Sequence, residues 1–233
     1  MRILLIAGHG AGDPGAIGNG YEEADVVRDI VARVKPLLSR YAEVDVFDTS
    51  KKMSNYLYKG NKFDFTTYQY VFEFHLNAFK KDEVGDGKNK GTELIVHTSE
   101  GTVGVESKIL DNMAELGFTN RGVKRRNDLI VANVCKGQQN VSYALMEVCF
   151  IDDIDDMTLY NMKKQEIINA IVSGMVEGFV LKPIGTDLTN LNDIVAFLSD
   201  NEVLTDRELW KGKAKADKDV YWLMYKMAKV LRR

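Results

Sequence analysis

Four polar residues stand where the surrounding sequence is apolar. His9 ends the run ILLIAGHG, and His75 and Glu147 interrupt the runs YQYVFEFHLNA and YALMEVCF. Glu23 opens an amphipathic pattern after a glycine-rich loop. An unsatisfied polar side chain in such surroundings costs roughly a few kcal/mol, and a carboxylate costs more. Two imidazoles and two carboxylates are the residue types of a catalytic zinc site, which has three protein ligands, an open water position and a general base.

Alternation along the strand segments places more polar groups on the same faces. In VFEFHLNA, Glu73, His75 and Asn77 point to one side, and the residues between them are apolar. Glu147 stands on an otherwise uncharged face of its own segment. An unpaired carboxylate there would have a raised pKa, which suits a general acid or base near neutral pH.

Each of these residues also has a structural interpretation. A lone core histidine usually makes only hydrogen bonds, which applies to His9 and to His75 taken separately, and Glu147 could pair with a buried arginine. His97 has no companion acid in LIVHTS, so a structural role is favoured for it. Cys149 could be a metal ligand, but it is more simply a small apolar core residue.

The glycine-rich loop suggests a different ligand. Residues 10–15 match G-x-G-x-x-G after a strand, and Asp48 ends the next strand, as in a dinucleotide-binding fold. The pyrophosphate of a dinucleotide needs a helix that starts within the glycines. Here Asp13-Pro14 and Asn19-Gly20 delay the helix to about residue 22. A glycine turn without a ligand accounts for the glycines but not for His9, so we favour the metal interpretation.

The elements that must position these residues follow from the hydrophobic pattern. Strands are predicted at 3–7, 44–48, 68–76, 92–98, near 129–131 and at 143–150, and helices at about 22–40, 103–116 and about 157–181, with polar irregular segments at 50–67 and 80–91. This alternation predicts an α/β fold with a mostly parallel twisted sheet flanked by helices. The first helix turns Glu23 inward in preference to Glu22, so that His9 and Glu23 converge at the carboxyl edge of the sheet.

The end of the chain has a different character. A linker at 182–190, which contains Pro183, separates a catalytic domain at 1–181 from a small α-helical region at 191–233 with short amphipathic helices. Such a region is too small to be stable alone without partners or dimerisation. From residue 209 onward eight basic residues face two acidic ones, so this part carries +6 and the remainder carries −9.

Composition excludes several classes of protein. Hydrophobic content of 45% and charged content of 28% are ordinary for a globular protein, and a net charge of −3 gives no signal for nucleic acid or membrane partners. Two cysteines do not form a disulfide scaffold. The sequence predicts no transmembrane helix and no secretory signal at MRILLIAGHG. We therefore expect synthesis in the cytoplasm, with another route for any action outside it.

Five stretches resemble a known family in order along the chain. They are AGHGAGDPGAIGNGYEEADVVRDIV, FEFHLNA, KGTELIVHTS, FTNRGVKRRNDLIVAN and YALMEVCFID. Through them residues 1–181 resemble the zinc-dependent N-acetylmuramoyl-L-alanine amidases, the cell-wall amidases of autolysins and phage endolysins. The resemblance implies one Zn²⁺ per chain with His9, Glu23 and His75 as ligands and Glu147 as the catalytic glutamate. Asn77 falls on the family's asparagine.

The chain also departs from this pattern. Position 73 is Glu where relatives usually carry Ser or Cys, and the segment 50–67 is short and lysine-rich. Glu73 and Asn77 are expected to orient the metal ligands or the substrate. The phrase IVAFLSDNEVLTDRELW…VYWLMYKMAKVL resembles the helical tails of some phage lysins.

The resemblance implies hydrolysis of the amide between N-acetylmuramic acid and L-alanine in peptidoglycan, with Glu147 as general base. A phage or prophage endolysin released through a holin pore fits the sequence better than a secreted autolysin. The basic tail would add affinity for anionic wall polymers or form a homodimer. Two alternatives stay open: an inactive wall-binding module of the same fold, and a zinc peptidase for another amide.

Overall fold

The computed structural model describes residues 1–184, 191–200 and 203–231. Its contacts divide the chain into two compact units, Met1–Leu181 and Lys182–Arg233. The strands of the first unit are β1 (Arg2–Ala7), β2 (Ile17–Gly18), β3 (Tyr21–Glu22), β4 (Glu43–Val46), β5 (Tyr70–Asn77), β6 (Thr92–His97), β7 (Asn120–Arg126) and β8 (Ser142–Phe150). Its helices are α1 (Glu23–Leu38), α2 (Met53–Tyr58), α3 (Gly104–Glu115), α4 (Ile130–Ala132), α5 (Ile154–Met162) and α6 (Lys164–Gly178).

The predicted mostly parallel sheet is confirmed. In the described part of the chain six strands pair in the order β4-β1-β5-β8-β6-β7, and β2 and β3 form a separate two-stranded hairpin. All pairs of the large sheet are parallel except β6 with β8. The carboxyl ends of β1, β5 and β8 therefore lie side by side, which is where α/β sheets place their sites.

Each face of the sheet packs against an apolar core, and one of the two cores is larger than the other. Alternate residues of the central strands, such as Leu5 and Phe72, join α1, α3 and α6 in the main core. The intervening residues, such as Ile6 and Tyr143, join α2 and α4 in a smaller core. Because side chains alternate between faces, the polar row of β5 lies on the side of the smaller core.

Helix α1 forms because apolar residues recur every three or four positions. Its buried positions are Glu23, Ala24, Val26, Val27, Ile30, Val31, Val34 and Leu38. No side chain caps its first turn, but Glu23 and Asp25 place negative charge at the positive end of the helix dipole. The helix therefore starts immediately after the hairpin and brings its first carboxylate to the sheet edge.

Two predicted elements were wrong in type or extent, and one strand was not predicted. The apolar run at 129–131 is not a strand: α4 occupies it and continues into a π-helical turn at Asn133–Gln138. The strand of this region is β7, whose sequence NRGVKRR carries almost no apolar residue, because it is an edge strand with one exposed border. The helix predicted at about 157–181 is interrupted at Lys163, which separates α5 from α6.

The segment 50–67, predicted to be irregular, contains α2 and a 3₁₀ turn at Phe65–Thr67. Met53, Leu57 and Phe65 of this segment are buried in the smaller core. Tyr56 and Phe63 pack against the same core, so these apolar residues fix the segment against the sheet although they leave no clear periodicity in the sequence.

The second unit consists of helices α7 (Leu191–Asp200), α8 (Arg207–Ala216) and α9 (Lys218–Leu231). They enclose a small core of their own, formed by Ile194, Val195, Leu198, Leu204, Ala214, Met224 and Ala228. Of the predicted linker, residues 185–190 lie outside the described part of the chain. None of the described helices has the length and apolar character needed to cross a bilayer.

Candidate active site

His9 is held just beyond the end of β1 in an unusual backbone conformation. Its φ is 64°, in the left-handed region that non-glycine residues rarely adopt. The preceding residue, Gly8, donates its N–H to the carbonyl of Phe74 at 2.9 Å, which ties the turn to β5. A Cβ on Gly8 would lie 2.5 Å from His75 Cε1. The absence of a side chain at position 8 therefore leaves room for the ring of His75 against the turn that carries His9.

Glu23 lies at the centre of the site. Its Oε2 accepts from the N–H of Ala16 and its Oε1 from the N–H of Leu76, each at 2.9 Å. The same Oε1 lies 2.9 Å from His9 Nε2 and 2.9 Å from His75 Nδ1. Burial raises the pKa of Glu23, but its contacts with the two histidines outweigh this and hold the pKa well below its usual range. The group is thus a buried carboxylate.

His75 stands between two carboxylates. Its Nδ1 faces Glu23, and its Nε2 lies 3.1 Å from Glu73 Oε1. The other oxygen of Glu73 accepts a hydrogen bond from the hydroxyl of Tyr143 at 2.6 Å. Burial lowers the pKa of His75, but the hydrogen bonds with Glu23 and Glu73 outweigh it and raise the pKa to about 10. Such carboxylate contacts favour a cation at this position, either a proton or a metal ion.

The donor atoms fit a metal ion. His9, Glu23 and His75 each offer one ligand atom, and these atoms all lie within 4.8 Å of one another. The ring nitrogens of His9 face carboxylates, Nε2 at 2.9 Å from Glu23 Oε1 and Nδ1 at 3.1 Å from Asp13 Oδ2, but neither contact has the geometry of a good hydrogen bond. A Cβ at Gly15 would lie 2.6 Å from Glu23 Oε2 and 2.7 Å from His9 Nε2, so glycine keeps this space open. Two imidazole nitrogens and a carboxylate suit zinc with one position free for water.

Glu147 is the candidate base. It pairs in register with His75 across β5 and β8, and with Glu93 across β6 and β8. Its Oε2 is buried without a hydrogen-bond partner in the described part of the chain. Burial raises its pKa to about 7; the charge of His75 opposes this shift, and the neighbouring Glu23 and Glu93 add to it. A carboxylate with this pKa can exchange a proton near neutrality.

Asn77 lies in a separate polar network. Its amide donates to Glu93 Oε1 at 3.1 Å, and Glu93 Oε2 accepts from Arg121 Nε at 2.9 Å. The guanidinium carbon of Arg121 lies 4.9 Å from the ring centroid of Phe150. Asn77 therefore contacts no candidate metal ligand in this arrangement.

Sequence reasoning missed Glu93, Arg121 and Asp13. Glu93 carries the same signal as Glu147, a lone carboxylate inside an apolar strand, and could have been found by it. Arg121 belongs to the polar edge strand that periodicity did not detect. Asp13 Oδ2 lies 3.1 Å from His9 Nδ1 and 2.6 Å from Lys52 Nζ, and the hydrogen bond from Lys52 holds the pKa of Asp13 well below its usual range.

The residues given structural interpretations lie away from the metal group. His97 contacts Ser99, with Nδ1 2.7 Å from the hydroxyl oxygen. Cys149 is buried in the main core, 3.9 Å from the sulfur of Met157. Glu22 is exposed at the start of α1, whereas Glu23 is 3% exposed.

A cleft of about 410 Å³ lies next to the site. It is lined by Gly10, Ala11, Asp13, Ser50, Lys51, Lys52, Asn55, Tyr56, Lys59 and Asn61.

Similar proteins of known sequence include a probable autolysin of Staphylococcus aureus, 29% identical over 204 residues, which covers 79% of this chain and 39% of that protein. The endolysin of Bacillus phage SPP1 is 29% identical over 179 residues, which covers 76% of this chain and 64% of the endolysin. The chain thus spans only part of the length of both relatives.

Solved structures share the fold. The catalytic domain of an endolysin targeting Clostridia difficile matches with a TM-score of 0.60 and 22% identity, over 76% of this chain and 97% of that domain. The catalytic domain of CwlV, an N-acetylmuramoyl-L-alanine amidase from Bacillus (Paenibacillus) polymyxa var. colistinus, matches with a TM-score of 0.59 and 18% identity, over 78% of this chain and 100% of that domain.

The family assignment rests on a match over most of the first unit. The family described as N-acetylmuramoyl-L-alanine amidase matches residues 3–177. This range contains both candidate histidine ligands, Glu23 and Glu147. The chain belongs to the N-acetylmuramoyl-L-alanine amidase family.

Proposed function

We propose that this chain is a zinc-dependent hydrolase of peptidoglycan that cleaves the amide between N-acetylmuramic acid and L-alanine. The supporting observation is the convergence of His9 Nε2 and His75 Nδ1 on Glu23 Oε1, each at 2.9 Å, with Glu147 on the same sheet face. The family match supports the choice of bond.

His9, Glu23 and His75 would hold the metal. When bound, zinc supplies Lewis acidity to the scissile carbonyl and lowers the pKa of a water ligand. Glu147 takes a proton from the attacking water through its buried Oε2 and returns it to the leaving amine of L-alanine. Burial raises the pKa of Glu147 to about 7, so this side chain can both take up and release a proton near neutrality.

Asn77 and Arg121 are proposed to face the substrate. Both are held by the same carboxylate, Glu93, which stands opposite Glu147 in the sheet. Arg121 is 39% exposed in its side chain, so its remaining guanidinium N–H groups are available to carbonyl or carboxylate groups of a stem peptide. Glu73 orients His75 instead.

The second unit is proposed to add affinity for the wall. Lysines 211, 213 and 215 lie along α8, and α9 exposes Trp222 and Leu223. Positive charge and exposed aromatic and apolar groups within one small helical unit suit a polyanionic polymer, and the same apolar groups could pair two copies. A helical unit without a ligand is the alternative. Release through a holin pore, and a phage or prophage origin, stay predictions.

The test of the proposed function is a chemical assay on purified cell walls. Zinc-loaded protein should release material whose new N-terminal residue is alanine and should liberate no reducing sugar ends. Glu147→Gln, compared at equal zinc content, should release little. A wall-binding module would pellet with the walls and free no amines. A peptidase for another amide would free a different N-terminal residue.

A further inference from the structure

A buried chain of hydrogen bonds leads from the smaller core to the proposed metal ligands. The hydroxyl of Tyr143 donates to Glu73 Oε2 at 2.6 Å, and Glu73 Oε1 lies 3.1 Å from His75 Nε2. Tyr143 is fully buried and Glu73 is 6% exposed. Tyr143 and Glu73 come from different strands, β8 and β5, so the fold itself brings them together.

Both ring nitrogens of His75 face a carboxylate, Nε2 facing Glu73 at 3.1 Å and Nδ1 facing Glu23 Oε1 at 2.9 Å. Glu23 is itself a proposed metal ligand, whereas Glu73 is not. A metal held by Glu23 would therefore take the place of the proton on Nδ1, and the N–H at Nε2 would stay directed at Glu73, because a carboxylate only accepts hydrogen bonds. Ligand histidines commonly donate their second N–H to a carboxylate in this way, which fixes the ring and increases its basicity.

The hydroxyl of Tyr143 satisfies the other half of Glu73. A buried carboxylate with one unsatisfied oxygen is unfavourable and tends to rotate toward any available donor. The Tyr143 ring packs among apolar residues of the smaller core, which a phenylalanine ring would also do. The role of the Tyr143 hydroxyl is therefore the hydrogen bond that keeps Glu73 directed toward His75.

A second buried tyrosine–glutamate pair, which lies away from the site, provides a comparison. On the opposite face of the sheet, the hydroxyl of Tyr70 donates to the buried Glu106, also at 2.6 Å. Tyr70 and Glu106 belong to the side of the main core and contact no candidate metal ligand. The two pairs thus have the same chemistry and burial, but only the pair of Glu73 ends on a histidine of the site.

We propose that Tyr143 and Glu73 are positioning residues that present His75 to the metal through Nδ1 and increase the affinity of the site for zinc. The proposal rests on the metal site of the proposed function. It also gives a physical role to the glutamate at position 73, by which this chain departs from the family's usual serine or cysteine.

The experiment measures metal binding rather than turnover. The zinc dissociation constant of the whole protein is obtained by competition with a coloured chelator for the wild type, Tyr143→Phe, Glu73→Gln, Glu73→Ala and Tyr70→Phe. Cobalt(II) absorption of each variant reports the number and geometry of ligands. Urea unfolding of the metal-free proteins reports the loss of stability. Tyr70→Phe is the matched control, since it removes an equivalent buried hydrogen bond on the other face.

Tyr143→Phe should raise the zinc dissociation constant about 10-fold, and Glu73→Ala between about 10- and 100-fold. Glu73→Gln keeps an oxygen that accepts from Nε2, so it should preserve the cobalt spectrum and weaken zinc binding less than Glu73→Ala. Tyr70→Phe should lower the stability without changing zinc affinity.

Equal zinc affinities for Tyr143→Phe and Tyr70→Phe would overturn the proposal. If Tyr143→Phe fails to fold, Glu73→Ala decides: a wild-type zinc affinity and cobalt spectrum in that variant would also overturn it. A wild-type protein that binds no zinc would instead overturn the metal site of the proposed function, which makes the two failures distinguishable.

Discussion

Glu147 lies directly opposite His75 in the parallel register of β5 and β8. Paired residues of neighbouring strands point to the same face, about 4.8 Å apart along the hydrogen-bonding direction. The spacing between the candidate base and one candidate ligand is therefore set by the sheet and not by a loop. A shift of one residue in this register would turn Glu147 into the main core.

Loss of either histidine should remove the metal. His9→Ala and His75→Ala each delete one of three ligands, and we expect both to lose zinc and wall hydrolysis, whereas the wild type binds about one zinc per chain. Elemental analysis and turbidity loss of cell walls measure the two effects. His97→Ala is the matched control, because His97 lies outside the metal group and should keep both properties. Full activity of chelator-treated protein would contradict the prediction.

Glu147→Gln should separate binding from turnover. Glutamine keeps the volume of the side chain but cannot take a proton, so zinc content should be retained while the rate falls by about 10²-fold or more. Single-turnover release of N-terminal alanine from a soluble muropeptide measures the rate. Near wild-type rates would mean that Glu147 is structural, and Glu73 would become the next candidate for the base.

Asp156 should make stability depend on pH. Burial raises its pKa to about 7, and the charge of Asp153 adds to the shift, although the N–H groups of Phe150 and Gly91 oppose it. The pKa of an aspartate in the unfolded chain is about 3.9. Between these values the folded protein binds more protons, so this group lowers the free energy of unfolding as pH rises from about 4 to about 7.

Asp156→Asn removes that titration. At pH 5 the protonated carboxyl of Asp156 and the amide of asparagine are both neutral and each offers one carbonyl oxygen. The wild type should lose stability relative to the variant as pH rises from 5 to 8, because only the wild type must ionise a buried group. Urea unfolding at both pH values measures it, with Asp111→Asn, an exposed position on α3, as the control for loss of one carboxylate. A difference that stays constant between pH 5 and pH 8 would show that the carboxyl of Asp156 does not titrate there.

Removing charge from α8 should weaken attachment to walls. The triple variant replaces each lysine on this helix by glutamine, at Lys211, Lys213 and Lys215. We expect its pelleting with cell walls at low salt to fall several-fold, and the difference from wild type to shrink as salt screens the charges. Hydrolysis of a soluble muropeptide should be unchanged. A triple variant at the exposed positions Lys62, Lys81 and Lys88 of the first unit controls for net charge. Equal pelleting of both variants would remove α8 from the binding surface.

The sequence allowed prediction of those site residues that interrupt an apolar pattern. His75 and Glu147 are conspicuous because strands β5 and β8 are buried on both faces, so any polar side chain there needs a reason. Glu23 could be distinguished from Glu22 because α1 has a strong apolar periodicity. The parallel architecture followed from the same alternation of strands and helices.

The remaining features depend on contacts that periodicity does not carry. Strand β7 is held by its hydrogen bonds to β6 at the edge of the sheet, and its partly buried Val123 packs against the main core. Arg121 therefore escaped notice together with the strand. The run at 129–132 is apolar because α4 packs on the smaller core. A short apolar run of this length fits a buried helix as well as a strand, so the sequence pattern could not decide between them.

Glu23 joins three separate stretches of chain, since it belongs to α1 and accepts N–H groups from the loop at Ala16 and from β5 at Leu76. Its carboxylate is in effect a cross-link that closes the glycine-rich segment before any ion arrives. A substitution of Glu23 should therefore remove a metal ligand and also free the glycine-rich segment. The segment should become sensitive to proteolysis in the same variants that lose the capacity to bind a metal. Cleavage by a protease near the exposed Gly12 should then increase in the same Glu23 variants in which a zinc titration shows weaker binding.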